Sequence, residues 1–194
     1  MTNILLLGDS QMWAAIPANL MSTILAATLA VSSPGEFTVT SHAVPSSTTC
    51  HHMDGGTTPF GAPVTAIRDY CDDKGPFDVT FILLGTNDSI PAMNCGTPSA
   101  VESRNNMRTI ARRAKAHGCG KQFVLSNPPI TGGLAAFVDD FRALLSVTKN
   151  RYVLLDLHGE FVGGPCTWNP PDGVHPGPVE RQCMADFMAA EVED

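Results

Sequence analysis

Three short segments contain the side chains able to do chemistry together: Gly8-Asp9-Ser10, Gly85-Thr86-Asn87-Asp88 and Asp172-Gly173-Val174-His175. They supply a hydroxyl, an amide, a carboxylate and an imidazole. Acyl transfer requires a nucleophile, a base to take its proton, a group to orient the base, and donors for the developing oxyanion. Ser10 fits the nucleophile, His175 the base and Asp172 the orienting carboxylate, with only two residues separating the last two. Asn87 can offer its side-chain NH2 to the oxyanion beside the backbone N–H of Ser10. Asp9 suits a turn-shaping role.

These groups need a scaffold that brings the two chain ends together. Ile4–Leu7 is a run of large apolar residues stopped by Gly8, which predicts a strand buried on both faces. Pro17 opens a predicted helix whose apolar stripe is Ile16, Leu20, Ile24, Ala27 and Val31. Strands are predicted over 37–41, 78–84, 122–126 and 152–157, and helices over 64–72, 99–117, 135–145 and 178–192. The Pro, Gly, Ser and Thr content of 45–63 predicts a long loop. Alternating strands and helices imply a mostly parallel five-stranded sheet with helices on both faces, an α/β three-layer sandwich whose ligands bind beyond the strand carboxyl ends. At 194 residues, one domain spanning 1–194 is expected.

At this point the chain resembles the SGNH hydrolases, also called GDSL-type esterases and lipases. The first segment is similar to that family's nucleophile block, the second to its Asn block and the third to its terminal D-x-x-H block, in the family's order. The resemblance implies a flavodoxin-like fold, with Ser10, Asp172 and His175 catalytic and Ser10 and Asn87 donating to the oxyanion. One block departs from the pattern. The family's second block contributes a glycine N–H, yet 43–49 contains no glycine. Ser46 is placed there, since a backbone donor needs only suitable dihedral angles, and Gly55 or Gly56 is the alternative.

The expected activity is hydrolysis of short-chain carboxylic esters, including O-acetyl groups on carbohydrates, through an acyl-enzyme on Ser10 and without metal or organic cofactor. No long insertion suggests a lid over a lipid groove. Trp13, His51 and Trp168 are candidate substrate contacts, with core packing the competing reading for the tryptophans. Cys50-His51-His52 is read as a surface loop near the cleft, because adjacent residues rarely converge on one metal ion. Two other functions stay open: a noncatalytic carbohydrate-binding or structural module on the same fold, and a flavin binder.

Composition narrows the partners. Hydrophobic residues at 43% and charged residues at 16% exclude a disordered chain. A net charge of −7 disfavours nucleic acid. The basic run Arg104, Arg108, Arg112, Arg113 and Lys115 is read as a solvated helix face. The uncharged stretch after Asp9 has neither a basic flank nor the apolar density of a membrane span or signal peptide, so a cytoplasmic protein with mostly reduced, buried thiols is expected. Six cysteines keep an extracellular setting open.

Overall fold

The computed structural model describes residues 1–12, 20–90, 93, 99–147, 152–170 and 172–193. Five parallel strands form the central sheet: β1 (Thr2–Gly8), β2 (Phe37–Ala43), β5 (Val79–Leu83), β6 (Lys121–Leu125) and β7 (Val153–Leu155). Their order is β2-β1-β5-β6-β7. The chain leaves β1 toward β2 on one side and later returns to β5 on the other, so the topological switch lies between β1 and β5, where ligands collect in open α/β sheets.

The period-two alternation of side chains divides the core into two layers. Ile4, Leu6, Phe81, Leu83, Phe123 and Leu125 face α1 (Met21–Ser32), α6 (Leu157–Val162) and α7 (Pro178–Glu193). Leu5, Leu7, Ile82, Leu84 and Val124 face α3 (Ile67–Lys74), α4 (Ala100–Ala116) and α5 (Ala135–Ser146). Every one of these residues is buried, as a sheet covered on both sides requires. The structure therefore has the predicted three-layer α/β architecture.

Local differences have physical causes. The stretch 45–63 holds α2 (Thr49–Asp54) and the short antiparallel pair β3 (Gly56–Thr57) and β4 (Pro63–Val64) instead of a bare loop. A helix of six residues does not stand alone in water. Here the first N–H of α2, on Thr49, is satisfied by the Asp88 carboxylate at 2.9 Å, a tertiary acceptor that composition cannot reveal. The buried stripe of α1 is Met21, Leu25 and Leu29, not the one read from the sequence, and Val31 is exposed. With no charged residue in that segment, hydropathy selects no face. The predicted start of this helix at Pro17 lies outside the described residues.

The expectation of reduced thiols is corrected. Cys71 pairs with Cys119 and Cys166 with Cys183, with Cα–Cα separations of 5.7 and 6.2 Å, and Cys50 is also disulfide-bonded. The paired residues stand 48 and 17 positions apart, and only the packing of α3 and α7 brings them within bonding distance. Along α4, Arg113 pairs with Asp54 at 3.0 Å and ties that helix to the end of α2. Among the described residues no helix is long and apolar enough to cross a membrane.

Candidate active site

β1 ends at Gly8, where an added Cβ would press on the Met12 side chain. The chain turns there because Asp9 Oδ1 accepts the Gln11 N–H at 2.9 Å and the Asp9 carbonyl accepts that of Met12 at 3.2 Å. Ser10 sits at the tip of this turn. Its Oγ lies 3.1 Å from His175 Nε2. His175 Nδ1 lies 2.6 Å from Asp172 Oδ2. Asp172 Oδ1 also accepts the N–H groups of His175 at 2.7 Å and Val174 at 2.9 Å, closing a tight local turn. Hydrogen bonding from the His175 backbone, followed by that from its ring, holds the Asp172 carboxyl down to about 2.

Ser10 and His175 are 165 residues apart, and two side chains stitch their loops together. Gln11 Nε2 donates to the Val174 carbonyl at 2.8 Å. Buried Arg181 donates through Nε to the Pro176 carbonyl at 2.9 Å and through a terminal nitrogen to that of Gln11 at 3.4 Å. Neither residue was singled out from the sequence. Gln11 gave no signal beyond its place after Ser10, whereas a cation inside the closing helix was at least unusual.

The loop after β2 forms the opposite wall. Val44 N–H donates to the Gly8 carbonyl at 3.0 Å, which lays this loop beside the Ser10 turn. Ser46 has φ 61°, and it is the non-glycine residue with positive φ among the described residues. A side-chain-bearing residue thus adopts the backbone conformation that glycine favours, immediately beyond the strand. Gly55 and Gly56 lie past this loop, at the end of α2. Asn87 is buried, and its Nδ2 donates to the Ser47 carbonyl at 3.0 Å, which fixes the amide plane and leaves a second N–H on the same nitrogen. Gly85, with φ 105°, opens that loop where a Cβ would collide with the Phe141 ring.

Two carboxyls lie beneath this wall. Asp88 accepts from Thr49 Oγ1 at 2.5 Å as well as from its N–H, so adjacent residues Asn87 and Asp88 both grip the loop after β2. Burial raises the Asp88 pKa and pushes that of Asp9 up to about 7, with the Asp88 charge adding to the effect on Asp9.

The other candidates fare differently. His51 and His52 lie in α2 and are buried, correcting the surface-loop expectation. His51 Nδ1 accepts the Thr48 N–H at 3.2 Å and lies 2.8 Å from Thr48 Oγ1, so its ring caps the helix. Trp168 packs edge-on against Phe161 at 5.0 Å beside the core. Trp13 lies outside the described residues.

No protein-family model and no curated protein matches this sequence. Solved structures do match it along essentially its whole length. An M. smegmatis aryl esterase is 16% identical with a TM-score of 0.79, covering 100% of this chain and 99% of that one. An acetyl esterase mutant solved with an acetate ion is 14% identical with a TM-score of 0.75, covering 100% and 97%. An acetyl xylan esterase is 14% identical with a TM-score of 0.74, covering 98% and 99%. The chain has the α/β fold of the SGNH, or GDSL-type, hydrolases.

Proposed function

We propose that this protein hydrolyses carboxylic esters through an acyl-enzyme on Ser10. The observation that carries the proposal is the continuous path from Ser10 Oγ to His175 Nε2 at 3.1 Å and from His175 Nδ1 to Asp172 Oδ2 at 2.6 Å. His175 takes the hydroxyl proton as Oγ attacks the ester carbonyl carbon. The oxyanion is met by the free N–H of Asn87 and by the backbone donors of Ser10 and Ser46. When the C–O bond to the alcohol breaks, His175 returns the proton to the leaving oxygen. Water, deprotonated by the same imidazole, then attacks the acyl-enzyme and releases the acid and Ser10.

The substrates we favour are short acyl esters, including O-acetyl groups on carbohydrates. The absence of a long insertion supports small acyl groups, and two of the similar folds belong to an acetyl esterase and an acetyl xylan esterase. The missing second-block glycine is what favours a noncatalytic module. Ser46 in a left-handed conformation weakens that reading. From the disulfides we further infer maturation in an oxidising compartment, in place of the cytoplasm.

Ser10→Ala tests the reading. It should abolish turnover of 4-nitrophenyl acetate and leave the far-UV circular dichroism unchanged. A serine-directed fluorophosphonate should add its mass at Ser10 in the wild type and not in His175→Ala. Undiminished turnover in Ser10→Ala would overturn the assignment. A series of acetylated sugars against acyl esters of increasing chain length then identifies the substrate class.

A further inference from the structure

His52 takes no part in the proton path, yet it is fully buried in α2. Its Nε2 lies 2.9 Å from Ser47 Oγ. That hydroxyl also reaches the Gly8 carbonyl at 3.5 Å, while the Ser47 N–H donates to Val44 at 3.2 Å and its carbonyl accepts from Asn87 at 3.0 Å. Ser47 therefore touches the carboxyl ends of β1, β2 and β5 at once, and it directly follows the left-handed Ser46.

The hydrogen-bond pattern assigns the ring. With the Ser47 hydroxyl donating to Gly8, the shared proton belongs to His52 Nε2, which donates to Oγ. Nδ1, buried without a hydrogen-bond partner, is then a bare lone pair instead of an orphaned N–H. Burial, with the nearby His42 ring adding to it, holds the His52 pKa well below the ordinary histidine range, so the ring stays neutral. A leucine or phenylalanine would fill this space without burying an unsatisfied nitrogen. What histidine supplies here is an Nε2–H that faces Ser47 Oγ, with the Gly8 carbonyl beside it.

We propose that His52 is a positioning residue for the ester-hydrolysing site: by hydrogen-bonding Ser47 it locks the turn that holds the Ser46 N–H and the Asn87 amide in place for the oxyanion. This rests on the esterase reading above. It also explains how the second block operates without glycine. A residue bearing a Cβ resists positive φ, and the surrounding contacts must over-determine it.

The test measures kcat and KM for 4-nitrophenyl acetate, together with melting midpoints, below the temperature at which any variant unfolds. His52→Leu and Ser47→Ala should each lower kcat about tenfold to a hundredfold, with KM changed less than about twofold, the pattern of a donor lost only in the transition state. The double variant should be little worse than either single one, because both break the same link. His52→Gln, whose amide can still donate to Ser47, should recover most of the rate. Adding Ser46→Gly to His52→Leu should also raise kcat, since glycine accepts the left-handed backbone without support.

If His52→Leu fails to fold, Ser47→Ala and His52→Gln carry the comparison. Folded His52→Leu and Ser47→Ala enzymes with kcat within about twofold of wild type would overturn the role of His52 and leave the esterase reading intact, as would multiplicative losses in the double variant. A wild-type protein without turnover would overturn both.

Discussion

Ser10 is flanked by two walls built on opposite physical terms. On the side proposed to meet the oxyanion, Ser47, Thr48 and Thr49 are wholly buried and Asn87 is 6% exposed, and their hydrogen bonds join the loops that follow β1, β2 and β5. On the imidazole side the Asp172 and His175 side chains are 54% and 49% exposed, and one four-residue turn makes most of their contacts. The contrast follows from the chemistry proposed. Donors to a charge that exists only in the transition state must be fixed before it forms and kept from water. A base that exchanges protons and activates water has to remain in contact with solvent.

Breaking the exposed wall should have the largest effect on rate and little on stability. Asp172→Asn should lower kcat by about 10⁴ and His175→Ala by about 10⁶, because the imidazole is no longer oriented or is lost. Their melting midpoints should stay within about 2 °C of wild type, as for other exposed positions. A drop of many degrees would show that this turn supports the fold, erasing the contrast.

Asn87→Ala should cost less in rate and more in stability. Loss of one oxyanion donor lowers kcat by about 10² to 10³. The Ser47 carbonyl is also left unpaired in the interior, a penalty of about 1–3 kcal/mol that lowers the melting midpoint by several degrees. Kinetics and calorimetry on one preparation measure both. An unchanged midpoint would mean that the buried wall is not held as the hydrogen bonds imply.

The smallest effect on rate concerns the carboxyl beneath that wall, which acts on stability. The Asp9 pKa rises on folding from 3.8 to about 7, mainly through burial. The folded state therefore binds the extra proton more tightly, and stability should fall as pH rises from about 4 to about 7. At 1.36 kcal/mol per pKa unit the drop is about 4 kcal/mol, appearing as a steeper slope in wild type than in Asp9→Asn, where the raised Asp88 carboxyl still contributes. The amide keeps the acceptor for Gln11. Parallel slopes in denaturant titrations of the two proteins would exclude Asp9 as the source.

The architecture was legible wherever one interaction range dominated. Ile4–Leu7 announced β1 because burial on both faces leaves an unbroken apolar run, and Asp172 and His175 could share a turn because two residues separate them. The buried face of α1 was not legible, since an uncharged helix offers several equivalent stripes. The loop after β2 misled for a different reason. Its polar composition describes residues whose hydroxyls and rings bond inward, to Asp88, Gly8 and one another, and a sequence does not distinguish a polar group facing water from one with a buried partner. The cysteine pairs were hidden similarly, their separations carrying no trace of the packing that joins them.

Local covalent order alone determined which reactive groups this protein owns, where its strands stop, and that Asp172 can orient His175. Those features depend on neighbours within a few residues or on apolar periodicity, and both are written directly in the chain. Only tertiary structure decided that the two ends of the polypeptide meet, that Ser46 assumes a glycine's conformation, and that Asp88 and His52 serve the loop beside Ser10. Each of these depends on contacts between groups remote in sequence, whose energies exist only once the layers have packed.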